Sequence, residues 1–284
     1  AAKYDLLSPD GTCGVFDDAA NGYTRGEGVG VVVMKRLDEA RRDNDRIYAV
    51  IKGCHQNNRG RASSLSDVKH EAITDVLNGC YAKAGIAAGE ISYIEVDGYA
   101  TKWGDSFEFE GIRNALANTP DGQARCALGS VKGNIGHLEP ASGIASLIKV
   151  ALSMFHRQFP ATVSKHTLSE FIDIDSAASL YIADRAIEFD QIRRRPGAPV
   201  RAGINSFSDS GSNLHILVEE HIDDVAGNAA ANGQAELCVL SARDWHRLQE
   251  RVAQLIVALS RNGAPARFND VIHTLQLGRD AMTH

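Results

Sequence analysis

The sequence predicts an α/β protein in which strands and helices alternate. Short β-branched runs take turns along the chain with segments whose apolar residues recur at helical spacing. Hydrophobic residues make up 44% of the 284 residues, which is enough for a sizeable core. The 26 glycines suit an architecture with many tight turns between elements.

The first half of the chain contributes three predicted strands and two helices. Residues 28–37 and 46–57 are β-branched runs around a polar turn, which predicts a long antiparallel hairpin. Residues 68–86 carry apolar side chains at helical spacing and a glycine near the end that can stop the helix. A short apolar strand at 91–96 ends in an Asp-Gly turn, and a helix is expected from about 105 to 117.

The second half continues the alternation and then changes character. A strand near 126, an apolar helix over 142–159 and three further strands at 180–189, 200–207 and 214–221 are expected. The small polar residues that follow predict a linker. The predicted division is a main part over residues 1–221, a linker over 222–235 and the start of an appended unit over 236–284.

Composition excludes several classes of protein. The net charge is −6, which argues against a general nucleic-acid binder. No apolar stretch is long enough to span a bilayer. The five cysteines are scattered without a CxxC pair, so neither a disulfide framework nor a zinc site is expected. A reducing, cytoplasmic location is therefore predicted.

The segment "GSVKGNIGHLEPASG" is the strongest local candidate for chemistry. His137 follows two glycines at the head of the apolar helix, and Lys132 lies five residues earlier. A helix N-terminus carries partial positive charge, which can lower the pKa of an imidazole and keep it neutral. A neutral imidazole can donate a hydrogen bond to an oxyanion or accept a proton. The alternative from spacing alone is that His137 only caps or packs the helix.

Two further stretches are ambiguous when read alone. Asp97 and Asp105, in "DGYATKWGD", could form a carboxylate pair, or be a turn residue and a helix cap. The turn at residues 205–213 could present backbone N–H groups to an anion, although Gly- and Ser-rich hairpin turns are common. The arginine run at 193–195 is either a solvated surface or a contact for a phosphate or an acidic partner.

Taken in order, these stretches resemble the ketosynthase family of thiolase-fold condensing enzymes. "SPDG" and "TRGEG" near the start, "VKGNIGHLEPASG" in the middle and "NSFSDSGSNLH" near residue 210 are similar to the family's motifs. The resemblance covers about residues 6–220. It implies a layered α-β-α-β-α fold, here incomplete, with the end of the first half and the whole second half. "TLQLGRDAM" resembles the α/β linker subdomain that follows ketosynthases in modular polyketide synthases, particularly those whose acyltransferases act in trans.

The chain departs from the family pattern in three places. The family's nucleophilic cysteine, in a Thr-Ala-Cys-Ser-Ser context, has no counterpart among the five cysteines, so the chain is expected to be the C-terminal part of a ketosynthase. The family's His-Gly-Thr-Gly-Thr motif falls on residues 97–101, where Asp97 replaces the histidine. Ser208-Asp209-Ser210-Gly211 replaces a glycine-rich turn, which predicts strain if those positions need positive φ.

The resemblance implies roles for the matched residues. His137 matches one of two histidines that donate hydrogen bonds to a thioester oxygen during condensation, and Lys132 is expected to support it through an ion pair with Glu139. The other residues assigned to site loops are Asn134, Thr101, Phe207, Asp209 and Gly211. No metal is expected. No cofactor is bound directly, because the substrate arrives on the phosphopantetheine arm of an acyl carrier protein.

Asp97 decides the expected function. A carboxylate has no proton to donate, and it would repel a malonyl carboxylate about 4 Å away by roughly 4 kcal/mol at an effective dielectric near 20. That repulsion corresponds to about three orders of magnitude in rate. The expectation is a non-elongating ketosynthase that passes an acyl chain between carrier proteins without condensation.

Three alternatives stay open. Asp97 could be protonated by burial in an active condensing enzyme, the domain could be a catalytically dead scaffold that docks carrier proteins, or Asp97 could act as a base. The expected partners are the N-terminal part of the ketosynthase, acyl carrier proteins and a second copy in a dimeric assembly, with no nucleic acid and no membrane. Alone, the chain is expected to expose a large apolar face.

Overall fold

The computed structural model describes seven stretches of the chain, namely residues 6–61, 68–117, 125–163, 167–177, 179–222, 237–260 and 268–284. The chain divides into two compact units, Ala1–Asp223 and Asp224–His284. Apart from residue 222, the predicted linker over 222–235 lies outside the described residues.

The larger unit contains eight strands and six α-helices within its described residues. The strands are β1 (Val50–Asn58), β2 (Tyr93–Glu95), β3 (Cys126–Gly129), β4 (Gln158–Phe159), β5 (Leu180–Ile182), β6 (Ile187–Glu188), β7 (Arg201–Phe207) and β8 (Ser212–Glu219). The helices are α1 (Leu37–Arg42), α2 (His70–Ala84), α3 (Lys102–Leu116), α4 (Lys132–Ile135), α5 (Ser142–His156) and α6 (Phe189–Ile192). Short 3-10 turns cover Ala88–Glu90 and Glu139–Ala141.

Six of the strands form one mixed sheet in the order β1-β8-β7-β2-β3-β5. Strand β7 runs parallel to β2, β2 to β3, and β3 to β5, whereas β8 is antiparallel to both of its neighbours. Helix α3 connects β2 to β3, as a parallel pair requires. The carboxyl ends of β7, β2 and β3 therefore lie side by side at one edge of the sheet.

Helices cover both faces of this sheet. Ile94 on β2 packs with side chains of α2 and α3, including Leu77 and Phe109. The next residue back, Tyr93, points to the other face and packs with Val150 on α5. Because both faces of these strands are buried, the strands are continuous apolar runs in the sequence. The helix–sheet–helix sandwich confirms the predicted α/β class.

Local signals in the sequence explain several helix boundaries. Helix α2 ends at Gly85, which adopts the left-handed conformation with φ 65°, as its position predicted. Helix α3 begins at Lys102 rather than near residue 105. The reason is that the Thr101 hydroxyl caps it by accepting a hydrogen bond from the Gly104 N–H at 3.1 Å.

The predicted hairpin between residues 28–37 and 46–57 is wrong. Strand β1 pairs with β8, more than 150 residues later in the sequence, and not with the preceding apolar run. Residues 26–36 are extended but belong to no strand among the described residues, and α1 begins at Leu37. Val29, Val31 and Val33 are 93%, 82% and 97% exposed. Residues 28–34 have the composition of a strand, but no strand in the described part of the chain pairs with them.

The expected strand over 180–189 is two short strands that belong to different sheets. Strand β5 pairs with β3, and β6 pairs with β4. The described residues of the smaller unit form two helices, α7 (Trp245–Ser260) and α8 (Phe268–Leu277). None of the described helices is long and apolar enough to cross a membrane.

Candidate active site

Three loops leave the aligned carboxyl ends of β7, β2 and β3. Asp97 lies two residues after β2, Lys132 three residues after β3, and Asp209 two residues after β7. Because these strands are parallel neighbours, residues far apart in the sequence converge at one sheet edge.

Asp97 and Lys132 form a buried ion pair at the centre of this edge. Lys132 Nζ lies 3.1 Å from Asp97 Oδ1, and the two side chains are 2% and 4% exposed. The same ammonium also donates a hydrogen bond to the main-chain carbonyl of Asp97. Asp97 Oδ2 is buried and has no hydrogen-bond partner in the described part of the protein. The pair therefore leaves one carboxylate oxygen available to a donor from solvent or a ligand.

The expected ion pair between Lys132 and Glu139 is wrong. Glu139 instead accepts from Arg25, whose Nε lies 2.8 Å from its Oε1 at the protein surface. The main chain of Glu139 has φ 49°, in the left-handed region. Lys132 pairs with the carboxylate of Asp97 instead.

Glu108 anchors the main chain of the loop that carries Asp97. Its Oε1 accepts from the Asp97 N–H at 2.8 Å, and its Oε2 accepts from the Gly98 N–H at 2.9 Å. Asn205 Nδ2 donates to the same Oε1 at 2.8 Å, and Asn205 Oδ1 lies 2.6 Å from Nδ1 of the buried His215. Burial, reinforced by the nearby charge of Asp97, raises the pKa of Glu108 to about 7. This network fixes the main chain of residues 97–98.

Asp105 anchors main-chain N–H groups outside α3 and is not the second member of a carboxylate pair. Its Oδ1 accepts from the Ala100 N–H at 3.0 Å and its Oδ2 from the Phe16 N–H at 2.8 Å. Burial raises its pKa to about 7. The bonds to Asp105 fix Ala100, which holds the left-handed conformation with φ 54°. Asp105 thus lies at the helix N-terminus, as one interpretation expected, but Thr101 and not Asp105 caps α3.

Glu95 positions the loop that carries Lys132. Its Oε1 accepts from the Val131 N–H at 2.6 Å. Its Oε2 is shared between Lys149 Nζ at 2.6 Å and the Tyr93 hydroxyl at 2.7 Å. The side chain of Glu95 is fully buried, so both its charge and its lone pairs need these partners.

His137 presents one ring nitrogen outward as a donor. Its Nδ1 accepts from the Glu139 N–H at 2.9 Å, so in the neutral imidazole the proton sits on Nε2. Burial, followed by the positive charge of Lys132, lowers the pKa of His137 to about 4. The predicted direction is thus confirmed, but burial rather than a helix terminus is the main cause. His137 also packs against the ring of Tyr23, with centroids 4.6 Å apart.

Tyr99 bridges the Asp97 loop and the 208–211 turn. Its hydroxyl donates to Asp209 Oδ1 at 2.9 Å. Its ring lies 5.5 Å from Lys132 Nζ and edge-on to the His137 ring at 5.9 Å. Burial, with the charges of Asp97 and Asp209, raises the pKa of the phenol, so it is a stable donor at neutral pH. Tyr99 therefore forms a wall of the site beside His137.

The 208–211 turn accommodates its serines without the expected strain. Of its four residues only Gly211 has a positive φ, at 92°. The turn closes through the Gly211 N–H, which donates to the Ser208 carbonyl at 2.7 Å. Arg59 donates to the carbonyl of Asp209 at 2.8 Å, which fastens the turn to the end of β1. The condition for a cost of serine at this turn, a positive φ, is therefore not met at Ser208 or Ser210.

The other predicted site residues have more distant or structural positions. Thr101 caps α3 through its hydroxyl. Phe207 ends β7 opposite Asn213 and packs on the core. Asn134 is exposed on α4, and no described hydrogen bond of its side chain joins it to the ion pair. No group of three or more metal-ligating side chains occurs among the described residues.

Sequence reasoning missed the residues that hold the site loops. Tyr99, Glu95, Asn205 and Arg59 were not predicted as site residues. Glu108 was visible only as part of a Gly-Asp-x-x-Glu spacing at the start of α3, where positions three apart share one helix face. A buried glutamate at the end of a strand, such as Glu95, is the signal that could have located the network, because charged side chains are almost never fully buried without partners.

Comparisons with known proteins point to one family. The profile of "Beta-ketoacyl synthase, C-terminal domain" matches residues 48–166, and that of "Beta-ketoacyl synthase, N-terminal domain" matches residues 1–40. Polyketide synthase PksN of Bacillus subtilis is 37% identical over 99% of the chain, which corresponds to 5% of PksN. Polyketide synthase ThaG of Burkholderia thailandensis is 37% identical over 98% of the chain, or 5% of ThaG.

Solved ketosynthases share the fold. The ketosynthase from module 6 of the bacillaene synthase of Bacillus subtilis superposes with a TM-score of 0.81 at 34% identity. The oxazolomycin ketosynthase domain OzmH KS7 of Streptomyces albus gives 0.79 at 31% identity. Each match covers 99% of this chain and 47% of the solved chain. The chain thus spans about half of these ketosynthases and has the predicted thiolase-like fold over that half.

Proposed function

We propose, on the premise that the chain is the C-terminal part of a β-ketoacyl synthase domain of a polyketide synthase, that it serves a non-elongating ketosynthase. In this role the completed domain accepts an acyl chain from one acyl carrier protein and passes it to another. It does not extend the chain by decarboxylative condensation. The observation that carries the proposal is the buried ion pair between Asp97 and Lys132.

The ion pair removes a hydrogen-bond donor from the place where negative charge develops. By resemblance, Asp97 stands where condensing ketosynthases have a second histidine beside the one matched by His137. An ionised carboxylate only accepts hydrogen bonds. Loss of a single oxyanion donor costs about 10²–10³-fold in rate. One donor from His137 is therefore left for a step that uses two.

Lys132 changes the electrostatic part of the expectation. The ammonium at 3.1 Å offsets the charge of Asp97, so a malonyl carboxylate meets a near-neutral pair and not an isolated anion. The repulsion of roughly 4 kcal/mol expected for an unpaired Asp97 is thereby reduced. We therefore attribute the loss of condensation mainly to the missing hydrogen-bond donor and not to charge repulsion.

Acyl transfer depends less on the lost donor. It needs a nucleophilic cysteine, an oxyanion site and access for the thioester. We propose that a segment outside this chain supplies the cysteine, since the matched ketosynthases are about twice as long. The neutral His137 keeps its outward Nε2–H for a thioester oxygen.

The exposed run of residues 28–34 supports the proposed partner. Val29, Val31 and Val33 form an unpaired extended segment, and beside it an apolar groove of about 520 Å³ runs along α5. The N-terminal part of the domain is proposed to pair with this segment and fill the groove. Carrier proteins and a second copy of the domain are the further partners of the assembled protein. The resemblance at residues 274–282 supports a synthase whose acyltransferase acts in trans.

Two alternatives make different predictions for the same assay. An active condensing enzyme would need a protonated Asp97, but the contact with the Lys132 ammonium stabilises the negative charge. A catalytically dead scaffold would dock carrier proteins without accepting an acyl group. No geometric observation favours Asp97 as a base in dehydration.

The test uses the complete ketosynthase that contains this sequence. The protein is incubated with an acyl-pantetheine thioester, and intact-mass spectrometry follows acylation of the enzyme and transfer to a holo-carrier protein. Acylation and transfer without a β-ketoacyl product after addition of malonyl-carrier protein support the proposal. A β-ketoacyl product contradicts it in favour of condensation, and no acylation contradicts it in favour of the scaffold.

A further inference from the structure

A second cavity lies far from the candidate active site. It has a volume of about 1040 Å³ and is bounded by β5, the turn that follows it, α6 and the arginines after α6. Arg125, which also lines it, immediately precedes β3. The amino end of β3 is the opposite end of the sheet from Asp97 and Lys132. The cavity is therefore separate from the proposed acyl-transfer site.

The lining of this cavity is strongly positive. Arg125, Arg185 and Arg194 border it and have no ion-pair partner among the described residues, while Asp184 is the one carboxylate of the lining. Arg193 also borders the cavity, but it is neutralised by Glu220 through a bond of 2.8 Å. Three guanidinium groups thus face one carboxylate, which leaves an excess of two positive charges.

Two of these arginines are held in fixed positions. Arg194 donates to the carbonyl of Ile91 at 2.5 Å and to that of Arg125 at 3.2 Å. The Arg125 guanidinium stacks 4.9 Å from the centre of the Tyr181 ring. Arg194 Nε is buried and has no hydrogen-bond partner in the described structure. A buried donor of this kind can bond an acceptor that the described residues do not supply.

Tyr181 marks the point where the charges converge. Burial raises the pKa of its phenol, and the positive charges of Arg125, Arg194 and Arg185 each act in the opposite direction. All three arginines line the same cavity as Tyr181. Tyr181 and Gln191 add neutral hydrogen-bonding groups to the same lining.

We propose that this cavity binds the phosphate group of a small phosphomonoester. Guanidinium groups match phosphate oxygens in two-pronged hydrogen bonds, and a phosphomonoester is close to a dianion at neutral pH, which balances the excess charge. The volume is that of a small-molecule site and exceeds what a bare phosphate ion needs. The proposal does not depend on the function assigned to Asp97.

The test measures binding to the full chain by isothermal titration calorimetry at low salt. The probes are inorganic phosphate and adenosine 5′-monophosphate, with sodium chloride at matched ionic strength as the blank. Arg185→Gln and Tyr181→Phe are the informative variants, because neither residue anchors a main-chain carbonyl. Arg195→Gln is the matched control, since Arg195 belongs to the same basic run but pairs with Glu90 at 3.1 Å outside the cavity.

Saturable binding of both probes, weakened about tenfold in Arg185→Gln and unchanged in Arg195→Gln, supports the site. Tighter binding of the nucleotide than of phosphate identifies a small phosphomonoester as the ligand. Equal binding of the two probes restricts the site to free phosphate and overturns the ester assignment. Absence of saturable binding, or equal weakening by the Arg195→Gln control, overturns the site as a whole.

Discussion

Lys132 Nζ lies 3.1 Å from Asp97 Oδ1, and these two residues come from loops that follow adjacent parallel strands. The pair is almost completely removed from solvent. In a buried pair the desolvation of each charge is offset largely by its partner, so removal of one side chain leaves the other charge poorly compensated. The aspartate therefore has a structural role, because it fixes the lysine that resemblance assigns to the site.

Removing one member of this pair is expected to destabilise the fold strongly. Lys132→Met leaves Asp97 as an uncompensated buried charge, which costs about 3–5 kcal/mol. The double variant Asp97→Leu with Lys132→Met should be more stable than either single variant. Urea denaturation gives the free energy of unfolding of the single and double variants. The control is Lys35→Met, whose partners Asp43 and Asp45 are solvent-exposed and whose loss should destabilise the protein far less. Equal effects of the Lys35 and Lys132 changes would refute the buried pair.

The imidazole of His137 is expected to titrate far below an ordinary histidine. Its pKa is lowered to about 4 by burial and by Lys132. A base whose pKa falls on folding adds stability above about 6.5, and that stability is lost as pH falls through about 4. Long-range ¹H–¹⁵N NMR should show a neutral Nε2–H tautomer at pH 6, with the exposed His246 as the reference. Titration of His137 near 6.5 would contradict this environment.

Tyr99 and Asp209 are expected to be energetically coupled. The phenol donates to Asp209 Oδ1 at 2.9 Å across 110 residues of sequence. Tyr99→Phe and Asp209→Ala should each cost about 1 kcal/mol, and the double variant should cost little more than either one. A double-mutant cycle of unfolding free energies gives the coupling. Strictly additive effects would mean that the two loops are held together by other contacts, such as that of Arg59 with the Asp209 carbonyl.

The exposed run at residues 28–34 is expected to become protected when the domain is complete. Hydrogen–deuterium exchange of these amides should be fast in this chain alone and slow in the complete ketosynthase, because pairing buries their N–H groups. The double variant Val31→Lys with Val33→Lys should prevent the N-terminal part of the domain from assembling with this chain. The six-stranded sheet should stay intact. Glu27→Lys, a charge change at an exposed residue just before the run, is the control. Unchanged exchange in the complete domain would contradict the proposed pairing.

The sequence predicted elements well where the structural signal is local. Helix α2 ends at Gly85, as predicted, because helical spacing and the glycine stop are local features of a few neighbouring residues. Strand pairing is not local, so the partner of β1 was assigned to the nearest apolar run. The pairing of β1 with β8 depends on the register of a sheet that forms from the whole unit.

The sequence named candidate residues of the site but not the contacts between them. Asp97, Lys132 and His137 were identified by resemblance, and the structure brings them to one sheet edge. The ion pair between Asp97 and Lys132 was missed because the family pattern contains histidine at the first position and offers no model for the carboxylate. The supporting carboxylate of Glu108 was not assigned a role because its partners are main-chain N–H groups, which leave no trace in side-chain patterns.

The most direct test of the central claim compares Asp97 with its substitutions in the complete ketosynthase. Each protein is loaded with an acyl group and given ¹³C-labelled malonyl-carrier protein, and the β-ketoacyl product is quantified by mass spectrometry. Asp97→Asn serves as the control that removes the charge and keeps the size of the side chain. The account predicts no product from the unaltered protein, a gain of about 10²-fold or more over background for Asp97→His, and a smaller gain for Asp97→Asn. Efficient condensation by the unaltered protein, at a rate that Asp97→His does not raise, would contradict the account.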